Sequence, residues 1–97
     1  MASVLFHPGA QTDYAEALAW YQARSPQAAV RFEDEIERTL ASIEAHPEGF
    51  PKYDDEHRFA LLRRFPFSVV YQAQPGCVYV IAIAHGSRTA GYWRDRA

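Results

Sequence analysis

Lysine is nearly missing from this sequence, and so is cysteine: Lys52 and Cys77 are the only examples among 97 residues. A lone cysteine excludes an internal disulfide and offers no thiolate cluster for a metal, a usage that suits a reducing compartment. Its plainest role is a small apolar residue in a strand. His7, His46, His57 and His85 are scattered without ligand spacing, so no metal is expected. There is no glycine-rich phosphate loop and no Ser-His-Asp or Cys-His spacing, so no cofactor is expected either. No apolar run approaches the ~20 residues that span a bilayer. The opening MASVLFHPGAQ lacks a basic stretch followed by an apolar one. The expectation is a cytoplasmic chain with no membrane partner. Repeats, low-complexity tracts and linkers are also absent, so residues 1–97 read as one domain.

What is present is an ordinary globular composition, 48% hydrophobic and 23% charged. The formal net charge of −2 argues against nucleic acid as the main partner. Its distribution is lopsided. Residues 1–57 carry four basic and eleven acidic side chains, a net of −7, and residues 58–97 carry six Arg and one Asp, a net of +5. A positive face built from arginine follows, and the planar guanidinium forks onto phosphates and carboxylates.

Periodicity supplies the elements. Ser3 to His7 reads as a short strand, ended by a turn at Pro8-Gly9. Thr12 or Asp13 is the expected cap of a first helix, with Tyr14, Ala17, Leu18 and Tyr21 as its apolar stripe and Trp20 at the stripe's edge. Ser25 caps a second helix with Pro26 in its first position. Ala29, Phe32, Ile36, Leu40 and Ile43 face inward there, while Glu33, Asp34, Glu35, Glu37, Arg38 and Glu44 read as a solvated face. His46-Pro47-Glu48-Gly49 ends it. Three strand-like runs follow a polar loop: Arg58 to Arg63, Phe67 to Ala73 and Cys77 to Ala84, with Gln74-Pro75-Gly76 as a hairpin turn. The expected fold is α+β, in the order β-α-α-β-β-β. A helical hairpin covers one face of a small, mainly antiparallel sheet, and the other face stays partly open.

The chemistry-bearing side chains gather in the last third. Metal-free RNA cleavage needs a base, an acid and fixed positive charge at the phosphorane. His85 or Tyr92 suits proton transfer, and Arg58, Arg63 and Arg88 suit charge stabilisation. Tyr92 or Trp93 could stack on an unpaired base. The plainer alternatives are structural. Trp93 folds back over the sheet edge, Arg63 and Arg64 pair with carboxylates of the second helix, and Arg94 and Arg96 are solvated tail charges. The working expectation places the arginines on one uncovered side of the sheet.

Several stretches carry a resemblance. They are A-x-x-D-Y-A-E-A-x-x-W-Y from Ala10, A-x-x-F from Ala29, I-x-x-x-P from Ile43, R-x-x-L-L-R-R-F-P-F-x-V-V-Y from Arg58, and A-x-x-H-x-x-R-x-x-G-Y-W-x-x-R from Ala82. Together they resemble the RelE/ParE superfamily of bacterial type II toxin–antitoxin toxins, in the branch called plasmid stabilisation proteins. The resemblance implies the same β-α-α-β-β-β fold and a growth inhibitor neutralised by a cognate antitoxin. It also implies that operator DNA is met only through the antitoxin. For RelE-like members, which cut mRNA on the ribosome, the matching positions are Arg58 or Arg63, Arg88 and Tyr92, with His85 beside them. ParE-like members inhibit DNA gyrase and are not nucleases. A pI near 6.0 and a single lysine fit a ribosome-bound nuclease poorly, so the ParE-like, non-enzymatic reading is favoured. Arg64, Tyr92, Trp93, Arg94 and Arg96 are then the candidate partner-binding residues. A member that retains only antitoxin binding is the third possibility.

Overall fold

The structure, a computed structural model, describes residues 3–96. Its elements are β1 (Ser3–Phe6), α1 (Pro8–Arg24), α2 (Pro26–Ala45), β2 (Arg58–Leu61), β3 (Phe67–Gln74) and β4 (Cys77–His85). The order and the α+β class are those expected. The sheet runs β1-β4-β3-β2, with β1 parallel to β4 and the other two pairings antiparallel. Among the described residues no helix is long and apolar enough to cross a membrane.

α1 starts a full turn before the expected cap. Pro8 occupies its first position, where a missing N–H costs nothing, and the His7 Nδ1 accepts the Gly9 N–H at 2.9 Å. The Pro8-Gly9 turn and the Thr12 or Asp13 cap are therefore corrected. Asp13 lies inside the helix instead. α2 begins as expected, with the Ser25 hydroxyl accepting the Ala28 N–H.

The helix-side core centres on Phe32. Tyr14, Tyr21, Phe65 and Phe67 surround it with ring centroids 5.2–5.9 Å away, Tyr14 stacked, Tyr21 tilted and the two Phe rings edge-on. β2 stops at Leu61, earlier than expected, because Arg64 takes a left-handed φ of 66° and turns the chain toward β3. The hairpin turn narrows to Pro75-Gly76, with Gln74 paired to Cys77 and Gly76 at φ 69°.

β4 carries a bulge. Tyr71 pairs with Val80 and Val70 with Ala82, so Ile81 is the extra residue. The extra residue sends both Ile81 and Ala82 to the sheet face away from the helices. There they form a second, smaller core with Val70 and Trp93. The face is partly open as expected, with the C-terminal segment and Tyr53 covering much of it.

Candidate functional site

Ala10, Asp13 and Ala17 turn inward from α1 toward β4, and Asp13 is only 6% exposed. A buried carboxylate requires donors, and the local topology supplies them. β1 ends at Phe6, opposite Val80, so β4 beyond that point has no strand on this side. The Ile83 N–H donates to Asp13 Oδ2 at 3.2 Å. Arg96 returns from the chain end and forks onto the same carboxylate, Nη1 to Oδ2 at 2.7 Å and Nη2 to Oδ1 at 3.2 Å. Its Nη1 also donates to the Ile81 carbonyl at 3.0 Å. The Asp13–Arg96 pair thus takes up backbone groups that a longer β1 would have bonded. Tyr92 donates its hydroxyl to Asp13 Oδ2 at 3.0 Å, and Arg88 Nη1 stands 3.5 Å from Oδ1. The Arg96 guanidinium passes so close to the first turn of α1 that a Cβ at Gly9 would fall 2.5 Å from its Nε.

The rest of the segment packs behind the sheet. Trp93 is 2% exposed. Its ring meets Tyr53 edge-on at 4.9 Å and lies 4.6 Å from His57. His57 donates from Nδ1 to Asp54 Oδ1 at 2.8 Å, and its Nε2 lies 3.3 Å from the Gln72 amide nitrogen. Burial raises Asp54, but hydrogen bonds from the His57 side chain and the Glu56 backbone outweigh it and hold the carboxyl below its usual range. The Arg88 guanidinium lies over the Tyr92 ring at 3.6 Å. Burial, then the charge and hydrogen bond of Asp13, push the Tyr92 phenol up to about 12 against the opposing pull of Arg88 and Arg96. The hydrogen bond that Arg96 donates to Asp13 likewise raises the guanidinium.

Two hollows flank Arg88. One, of about 360 Å³, runs between α1 and the sheet end and is lined by Asp13, Glu16, Trp20, Phe67, His85 and Arg88 among others. The other, of about 210 Å³, lies behind the sheet between Phe59, Ser68 and the Gly86–Trp93 segment. Trp20, 52% exposed and stacked under Arg24 at 3.8 Å, borders the first and offers a protein partner an aromatic contact.

Residues 4–90 match the family model for the ParE toxin of the type II toxin–antitoxin system parDE. The chain belongs to the ParE toxin family. A solved structure described as a chromosomal ParDE toxin–antitoxin system from P. aeruginosa has the same fold at a TM-score of 0.75 and 19% identity. The alignment covers 88% of this chain and 96% of that one. No curated protein matches the chain.

Within this ParE-family fold the sequence-derived candidates separate into three places. His85, Arg88 and Tyr92 come together, with Arg96 and Asp13. Arg58 does not join them. It pairs with Tyr71, level with Val80, five residues along β4 from His85 and so roughly 17 Å away. Its Nη1 donates to the Phe50 carbonyl at 2.7 Å. Arg63 and Arg64 lie against α2. Among the described residues their expected pairing with α2 carboxylates is made by the Arg63 backbone, whose N–H donates to Glu35 Oε2 at 2.9 Å, and not by either guanidinium. Arg94 stays exposed, 3.6 Å from Asp54.

The gathering of all the arginines on one side of the sheet is therefore corrected. So is the reading of Arg96 as a solvated charge. Asp13, His57 and Glu35 were missed as inward-facing polar residues. Asp13 had a legible signal, since it falls on the apolar stripe between Ala10 and Ala17. His57 had none, because its partners Asp54, Gln72 and Trp93 meet only in the fold.

Proposed function

We propose that this chain is a growth-inhibiting toxin that binds DNA gyrase, acts without catalysing RNA cleavage, and is held silent by a cognate antitoxin. The observation that carries this reading is the ParE family match over residues 4–90. The site chemistry supports it. A metal-free nuclease needs a phosphate cradle with a free acid and a free base. Here Arg88, Tyr92 and Arg96 converge on a carboxylate, and the Tyr92 phenol is pushed up to about 12. The His85 Nδ1 accepts from the Ser87 N–H and faces its hydroxyl at 2.8 Å. Arg58 and Arg63 stand elsewhere. Trp20 beside an apolar groove suits contact with a folded protein.

The antitoxin segment that silences such a toxin would fold as it wraps the surface, so its ordering cost is met on binding. Contact with operator DNA would run through the antitoxin, consistent with the net charge of −2 on this chain.

Purified chain added to gyrase and relaxed plasmid is expected to abolish supercoiling, and added antitoxin to restore it. Undiminished supercoiling at saturating chain would contradict the proposal. Ribosome-dependent 5′ ends on mRNA, lost in Arg88→Ala and Tyr92→Phe, would instead establish the endoribonuclease reading.

A further inference from the structure

Four guanidinium groups border a hollow of about 440 Å³ on the far side of the hairpin, where α2 meets the β2–β3 connection. They belong to Arg31 and Arg38, two turns apart on α2, and to Arg63 and Arg64 on the connection. Arg38 is engaged, with Nη1 donating to Glu35 Oε1 at 2.7 Å. The side chains of Arg31, Arg63 and Arg64 are exposed and make no ion pair or hydrogen bond among the described residues. Three unneutralised cations thus adjoin one hollow in a protein whose net charge is −2. Arg64 adds a second observation. Its φ of 66° lies where glycine is comfortable and a long side chain is strained. A guanidinium is nonetheless presented from that position.

We propose that this cluster is a docking surface for an acidic polypeptide segment, whose carboxylates fork onto Arg31, Arg63 and Arg64. The assignment of that segment to the antitoxin rests on the function proposed above. Charge selects the occupant. The hollow also contains Asp34 and Glu35, so a continuous phosphate backbone running along α2 would meet repulsion at both. A peptide can space its carboxylates to meet the guanidiniums and miss those acids. Ala28 and the ring of Phe65 give the hollow an apolar floor for intervening side chains. Bidentate geometry favours arginine over lysine for this task.

The test uses the full chain in two arms. In the first, an isotope-labelled sample is titrated with a synthetic peptide alternating Glu and Leu. Amide shifts are expected at residues 31, 34 and 63–65, and to vanish in Arg31→Glu/Arg64→Glu. Shifts confined to other surfaces, a response unchanged in the variant, or stronger binding of a DNA duplex at the same residues would overturn the surface. In the second arm, affinity for the co-expressed antitoxin is measured. Arg64→Gly is expected to raise the unfolding temperature by relieving strain and yet weaken binding at least threefold, and the double reversal at least tenfold. Wild-type affinity in both variants would remove the antitoxin as the occupant. Failure of the unaltered chain to bind any antitoxin would sink the functional reading instead, while the peptide arm still decides the surface.

Discussion

Asp13 ties the first helix to β4 and to the C-terminal segment. It accepts from β4, Tyr92 and Arg96, and it has Arg88 nearby. Removing it strands a partly buried guanidinium and an unpaired backbone N–H. Asp13→Ala is therefore expected to lower the unfolding free energy by about 3 kcal/mol, measured by urea denaturation. Gly9 depends on the same pair. In an exposed helix, alanine is better than glycine by about 0.5–1 kcal/mol, but here its Cβ would meet Arg96. Gly9→Ala should destabilise the unaltered chain and stabilise an Arg96→Ala background. A double-mutant cycle with the same sign in both backgrounds would contradict the contact.

Tyr92 gives a pH signature. Its folded value of about 12 lies above the ordinary 10.0, so the native state holds the phenol proton more tightly than the unfolded chain. That contribution to stability is fully present below pH 10 and is lost as pH rises through 12. Tyr92→Phe should accordingly lose less stability than the unaltered chain between those limits, and should lack the last step of the phenolate absorbance titration.

Most of the elements were legible in the sequence because their signals are local. The Phe67–Gln74 and Cys77–His85 strands announce themselves by β-branched and aromatic runs, and Ser25-Pro26 marks a helix start on its own. What escaped depends on neighbours distant in the chain. Pro8-Gly9 reads equally as a turn or as the first turn of a helix, and the His7 cap decides it. The bulge at Ile81 is invisible in CVYVIAIA, yet it sends Ile81 and Ala82 to one face and creates the bed for Trp93. His85, Arg88 and Tyr92, which the sequence places in one stretch, do assemble. The carboxylate that assembles them was not legible, because it lies 70 residues from its β4 partner. The C-terminal segment should behave as one cooperative unit on this bed. Trp93→Ala is expected to cost about 3–5 kcal/mol, and hydrogen exchange should show the bonded amides of Tyr92, Arg94 and Arg96 losing protection together.

The molecule as a whole divides its charge and its surfaces. Among the described residues the arginines fall into separate groups: Arg88 and Arg96 around Asp13, Arg31, Arg63 and Arg64 unpaired beside the Glu35-bound Arg38 at α2, Arg58 and Arg94 near the 50–57 loop, and Arg24 on Trp20. A nuclease would concentrate them at one phosphate. A protein-binding toxin has use for distinct patches, with one for the target and another for the antitoxin. Family membership and the low pI support the gyrase reading proposed above. The most direct measurement is the topology of a reporter plasmid, taken from cells shortly after this chain is induced without antitoxin and resolved on a chloroquine gel. Progressive loss of negative supercoiling with intact mRNA is the expected result. Unaltered topoisomers alongside freshly cleaved mRNA would contradict it.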